Sequence, residues 1–191
     1  MVLKDERVLL RDFMRKDMEK RLYWETVETE WQLWDGPWEY EGQPEEQRRE
    51  AMVRYIKKME GWADRYGQIP ETERRWSFQI CTAEGEYIGW CGAYRIGEDC
   101  ECDPEGRRVA IGIDLPERQA RGKGLATRAL RLFMAYQYEQ GERELYTQTW
   151  SGNERMIGLA RKLGFEEYCR KPGVCTVRGK QYDGLTFRKM L

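Results

Sequence analysis

The chain has 191 residues, 33 of them basic and 34 acidic, with a formal net charge of −1 and no histidine. That balance supplies no bulk charge to draw nucleic acid or a membrane surface. The missing imidazole excludes Ser-His-Asp and Cys-His catalysis and every histidine-ligated metal site. The length suits a single domain over residues 1–191, with room for a substantial core.

No apolar run approaches the ~18 residues of a membrane span, and no signal-peptide pattern opens the chain, so a soluble, cytoplasmic protein is expected. Six cysteines without a C-x-x-C pair read as reduced thiols. Cys100-Glu-Cys102 lacks zinc spacing and reads as a surface loop, so no metal is expected.

In chain order, Arg7 to Phe13 carries Val8, Leu9 and Leu10 and predicts a first strand. Asp17 is a candidate N-cap for a helix through about Glu28. The acidic stretch 28–42 is broken by Gly36-Pro37, yet holds Trp31, Trp34 and Trp38. Two readings stand. These rings fill a gap between helices, or Glu28, Glu30, Trp31, Trp34 and Asp35 hold a cationic acceptor by carboxylates and aromatic faces.

Pro44 suits the first turn of a second helix, with Met52, Tyr55, Ile56, Met59 and Tyr66 as a core stripe and Gly67 as its stop. Trp76, Phe78 and Ile80 alternate as a strand, and Tyr87 to Ile96 is the next. Val109, Ile111 and Ile113 alternate with Ala110 and Gly112 in a central strand. The small residues there admit either a ligand arm or a closely packed helix.

Gln119-Ala-Arg-Gly-Lys-Gly-Leu-Ala126 follows that strand and opens a helix carrying Leu125, Ala129, Leu132, Phe133 and Tyr136 on one face. Gly122 and Gly124 let backbone approach a ligand. The first helical amides point outward at the positive end of the dipole, and Arg121 and Lys123 add charge. The combination predicts an anion cradle of the kind that holds a pyrophosphate. It is neither a dinucleotide fingerprint nor a Walker loop, because the third glycine and the G-K-[ST] are missing.

Leu145 to Trp150 is a further strand, and Ser151 with Glu154 reads as a capping box for a helix ending at Gly164. Phe165 to Thr176 and Gln181 to Met190 form a closing hairpin around Arg178-Gly179. The predicted order is β-α-α-β-β-β-α-β-α-β-β.

The pattern Q/R-x-x-G-x-G/A, met by Gln119, Gly122 and Gly124, resembles the acetyl-CoA loop of the GNAT superfamily of N-acetyltransferases. Asn153-x-x-Met-x-x-Leu-Ala-Arg-Lys-Leu-Gly-Phe165 resembles a second superfamily segment, matching at Asn153, Leu159, Lys162, Gly164 and Phe165. Val8-Leu-Leu-Arg-Asp-Phe13, Pro116-Glu117 and Gly179-Lys-Gln-Tyr-Asp183 look most like the branch of ribosomal-protein alanine and spermidine acetyltransferases.

The resemblance implies a single-domain α/β (α+β) GNAT fold: a mixed, mostly antiparallel seven-stranded sheet with four main helices, splayed at its central strands. It implies acetyl-CoA as co-substrate. The pantetheine arm would lie along Ile113, Asp114 and Leu115, and the pyrophosphate on Arg121, Gly122, Lys123, Gly124, Leu125 and Ala126. Asn153 would bond the arm from the far side, and a homodimer is possible.

Two positions depart from the superfamily. Ala160 replaces the tyrosine that often protonates the leaving thiolate, and Arg108 stands where some members carry a carboxylate. Asp114, through water, is then a candidate base and Tyr182 a candidate acid; the plainer reading of each, a solvated strand-end carboxylate for Asp114 and an ordinary side chain for Tyr182, outweighs the catalytic one. The expected activity is acetyl transfer by direct attack of a primary amine, the acceptor being a polyamine or aminoglycoside-like cation. A protein N-terminus or lysine is the alternative acceptor, and a non-catalytic acyl-CoA-binding module the alternative of another class.

Overall fold

The computed structural model describes every residue except Tyr40. Eight strands form one sheet: β1 (Val2–Lys4), β2 (Val8–Arg11), β3 (Ser77–Thr82), β4 (Tyr87–Ile96), β5 (Arg108–Asp114), β6 (Glu144–Trp150), β7 (Glu166–Val177) and β8 (Lys180–Met190). Their spatial order is β1-β2-β3-β4-β5-β6-β8-β7. Every neighbouring pair is antiparallel except β5 and β6, which are parallel. The expected α/β fold is present with one strand more than the seven foreseen. β1 is three residues long, too short to show an alternation, and is held at the edge through Leu3 opposite Leu10.

Side-chain alternation gives the sheet two different faces. Val109, Ile111, Cys91, Leu145, Leu185 and Phe187 point to one, where they form the main core with Leu125, Ala129, Leu130 and Phe133 of α3 (Leu125–Glu139) and Ala160 of α4 (Glu154–Lys162). The opposite face carries Trp90 and Tyr94 of β4, Gly112 and Asp114 of β5, and Gln148 and Trp150 of β6. Part of it is covered by α1 (Asp17–Thr26) and the turn that follows, through Trp24, Trp31, Tyr87 and Trp90.

The small residues of β5 therefore do not face α3. Ala110 packs with Tyr94 and Tyr146, whereas a Cβ at Gly112 would meet only open space.

Several local expectations are corrected. Asp17 lies inside the first turn of α1 rather than capping it, because its carboxylate accepts both guanidinium nitrogens of buried Arg11 (2.6 and 2.7 Å) and the Met14 amide. α2 (Glu45–Asp64) buries Met59 and Ala63, while Tyr66 lies beyond its end and is 44% exposed. Trp76 precedes β3, its ring lying against Arg74 and Arg95. Ser151 does not cap α4: Asn153 does, accepting the Met156 amide at 3.0 Å, and the Ser151 hydroxyl instead accepts the Asp183 amide.

Candidate functional site

β5 and β6 are in register at Ala110 opposite Tyr146 and then part. Thr147 Oγ1 donates to the Ile111 carbonyl at 2.7 Å, taking a place in the ladder that a backbone amide would otherwise hold. Beyond that point both strands continue, to Asp114 and Trp150, each with only its outer neighbour. The gap opens a cleft of about 850 Å³. Its walls include Gly112, Ile113, Asp114 and Leu115 from β5 and the turn after it, Gln148 and Trp150 from β6, and Asn153 and Met156 from α4.

One end of the cleft is the glycine loop. Gly122 (φ +73°) and Gly124 (φ +78°) are left-handed, and a Cβ on either would meet no protein atom within 4 Å. Gly124 is the N-cap of α3, with no side chain over the first amides, and Gly122, Leu125, Ala126 and Thr127 line the cleft beside it. The backbone is thus bent so that the first amides of α3 are left unobstructed on the inner side of the loop, the geometry an anion requires.

Two expected members of the cradle lie elsewhere. Gln119 and Lys123 are exposed and line a separate hollow of about 270 Å³ behind the loop. Arg121 lines the cleft, but its guanidinium is spent on protein. Nε donates to the Leu115 carbonyl at 2.8 Å, Nη2 to Pro116 at 2.9 Å, and Nη1 pairs with Glu30. Arg121 holds the loop in shape.

The acidic, tryptophan-rich stretch divides in two. Glu28 accepts from Arg118, and Glu30 from Arg121, Arg155 and the Trp34 indole; neither carboxylate lines the cleft. Trp31, Trp34 and Asp35 do line it. Trp31 is at the same time a packing residue, edge-on to Trp90 with its indole on the Trp24 carbonyl.

The Trp34 carbonyl accepts from both Trp150 (2.8 Å) and Asn153 (2.9 Å), and Arg155 lies over the Trp34 ring. Asn153, expected on the pantetheine arm, therefore has its oxygen in the α4 cap and its nitrogen on Trp34. The rings of the stretch pack against the protein, and Trp31 and Trp34 also form part of the cleft wall. Tyr40 of the same stretch lies outside the described residues.

Burial opposes ionisation of Glu30, but Arg121, the Trp34 indole and Arg155 outweigh it and hold the carboxyl at about 2. A carboxylate depressed in the fold contributes stability above its unfolded pKa and loses it as pH falls towards the folded value. Glu30→Gln is therefore expected to cost about 2 kcal/mol near neutrality. The difference from the parent should shrink between about pH 5 and pH 2, and urea unfolding across that window checks it. A difference that stays constant would show that the pairing adds nothing.

Strand order, splay and cradle together form an architecture with known relatives. The model of the acetyltransferase (GNAT) domain matches residues 7–166. The chain belongs to the GNAT acetyltransferase family.

It is thus an acetyl-CoA-dependent N-acetyltransferase. A comparison with curated proteins finds no match. Among solved structures, a GNAT acetyltransferase from Bacillus anthracis is 16% identical, with a TM-score of 0.70, covering 100% of this chain and 98% of that one. RimL, a ribosomal alpha-N-protein acetyltransferase solved in complex with coenzyme A, is 15% identical (TM-score 0.68; 100% and 98% covered). An N-acetyltransferase from Staphylococcus aureus is 17% identical (TM-score 0.62; 96% and 98% covered). At these identities the likeness concerns the fold.

Within this GNAT cleft, Asp114 sits at the last position of β5, half-buried in the wall. Its carboxyl is pushed well above the usual carboxylate range, first by burial among protein atoms and next by the charge of Asp35. Glu25 adds to the rise, while Arg21 and a polar contact from Trp90 oppose it. Tyr182, the expected acid, is not part of the cleft wall. Its ring stands edge-on against Trp150 at 4.8 Å and packs with Cys175 and Val177, because strand alternation directs it to that small core.

Ala160 is buried in the main core. Tyr94, which the sequence reading passed over, does line the cleft, and its hydroxyl donates to Gln148 Oε1 at 3.1 Å. Its signal was present in the alternation Trp90, Gly92, Tyr94, which sets it on the face of Gly112 and Asp114. No helix is long and apolar enough to cross a membrane, no cysteine is in a disulfide, and no cluster suited to a metal ion occurs, all among the described residues.

Proposed function

We propose that the protein acetylates a small cationic primary amine, with Asp114 as the base that takes the amine's proton. The observation that carries this reading is the pair Asp35 and Asp114 in one aromatic-walled cleft, with Asp35 the strongest charge acting on Asp114. A carboxylate whose affinity for protons is raised by a second carboxylate beside it holds an ammonium group well, since that charge relieves the repulsion. Trp34 and Trp38 offer faces for the rest of a cation.

Acetyl-CoA, when bound, supplies the activated acyl group. The amides at the start of α3 would hold its pyrophosphate, and the unpaired edge of β5 at Ile113 and Asp114 its pantetheine arm. Its acetyl end would reach the open space at Gly112. An amine of pKa near 10 is almost wholly protonated at neutrality, so a base is required before it attacks. A carboxylate with a raised pKa in a half-buried wall is better matched to that task than a solvated one.

Incubation with acetyl-CoA and a panel of diamines, aminoglycoside-like amines and N-terminal peptides, read by mass spectrometry, tests the reading. Acetylated small cations support it, and exclusive acetylation of peptides would replace it with a protein acceptor. Within the same reading, Asp35→Asn is expected to raise the acceptor KM about tenfold and leave acetyl-CoA affinity unchanged. The effect should be weaker at high salt. Glu28→Gln, already paired with Arg118, serves as the control that moves neither.

A further inference from the structure

We propose that Tyr94 is the acid that protonates the departing CoA thiolate, from a strand on the opposite side of β5 to α4. The inference rests on the acetyl-transfer reading above. A thiol of pKa ~8.5 leaves as a thiolate, and a donor placed at the sulfur speeds that departure. The donor must face the cleft and hold its proton at neutral pH.

Among the described residues of the cleft wall, Tyr94 is the sole phenol. Tyr182 stands outside that wall, against Trp150, and Ala160 has no proton to give.

The geometry of the sheet puts the hydroxyl at the right place. Tyr94 belongs to β4 and Gln148 to β6, with β5 between them, yet their side chains meet at 3.1 Å. The phenol therefore crosses β5 and ends over the gap where β5 and β6 part. Tyr94 is opposite Ala110 and Gly92 is opposite Gly112, so the hydroxyl arises two residue pairs, the next position on the same face, from the space left open at Gly112.

Asp114 is opposite Trp90, two pairs away on the other side of Gly112 and on the same face. A base and an acid thus bracket the same point. Gln148 Nε2 donates to the Cys100 carbonyl (2.6 Å) and to Thr186 Oγ1 (3.1 Å), which turns its oxygen towards Tyr94 and holds the phenol over the gap. Burial, with the nearby Cys102 and Asp35, also raises the phenol's pKa, so it stays protonated throughout the working range.

The step balances as follows. The amine nitrogen, its proton passed to Asp114, forms the bond to the acetyl carbon. The carbon–sulfur bond breaks, sulfur keeps the electron pair and takes the Tyr94 proton, the nitrogen gives up its second proton through water to the Tyr94 phenolate, and Asp114 releases the first to solvent, so that one proton leaves per turnover. No other reactant is needed.

Tyr94→Phe is expected to lower kcat about 100-fold with the acetyl-CoA KM unchanged. It should also weaken binding of CoA about fivefold while leaving desulfo-CoA unaffected, measured by calorimetry, because only CoA offers the sulfur to the hydroxyl. Replacing Tyr94 by fluorotyrosines of falling phenol pKa separates acid from scaffold. An acid gives a high-pH fall in rate whose midpoint follows the ring's acidity.

A high-pH profile indifferent to fluorination, or equal losses for CoA and desulfo-CoA, overturns the assignment to Tyr94. Absence of any acetyl transfer by the parent would instead overturn the reading on which it rests.

Discussion

Asp114→Asn is expected to lower kcat for acetyl transfer by about 100-fold or more, and to remove the acid limb of the pH–rate profile. The amide keeps the size and most of the polarity of the carboxylate but accepts no proton at working pH, and loss of a positioned base typically costs 10²–10⁴-fold. In the parent that limb should lie above the ordinary carboxylate range, because burial and Asp35 both disfavour the ionised form of Asp114.

The sign follows directly. As pH falls through the raised pKa the base is lost, so the rate falls at a higher pH than a solvated carboxylate would give. Asp35→Asn should shift the limb downwards, since it removes the neighbouring negative charge. Initial rates from about pH 5 to pH 9, with amine concentration saturating, report both effects. An Asn variant with the parent's rate and profile would leave Asp114 a wall residue.

Gly122→Val is expected to raise the Kd of acetyl-CoA about 100-fold or more. At φ +73° a β-branched residue is strained, and its side chain would project into the space that no protein atom occupies. Losing two charge-assisted hydrogen bonds of about 1.5 kcal/mol each already accounts for a factor of about 100. Calorimetric titration of acetyl-CoA, with thermal unfolding to show that the variant is folded, checks the outcome. Affinity within about twofold of the parent would remove this loop from the binding site.

Most of the sheet and the glycine loop before α3 were legible in the sequence because their signals are local. β4 was read over its full length, Tyr87 to Ile96, from apolar residues bounded by turn residues. The glycine loop was read from a strand, two glycines and a helix start, all within ~20 residues. The side-chain partners were not legible, because ion pairs join residues far apart in sequence.

Nothing near Glu30 announces that Arg121 and Arg155, 91 and 125 residues later, will neutralise it. Charges that look available for a ligand in the sequence are therefore consumed in the fold. Ser151 and Asn153 were confused for a different reason. Both can cap a helix, and only the tertiary bond from the Asp183 amide to the Ser151 hydroxyl decides between them. Tyr182 was singled out and Tyr94 was not because a hairpin tyrosine and a mid-strand tyrosine look alike until the register assigns each a face.

Release of CoA thiol, followed continuously with acetyl-CoA present and a diamine added after the baseline is steady, tests the central claim most directly. The protein should release thiol slowly without amine and at least ~100-fold faster with it, one thiol for each acetylated amine formed. Tight acetyl-CoA binding with no amine-dependent release, across small cations and peptides alike, would contradict it.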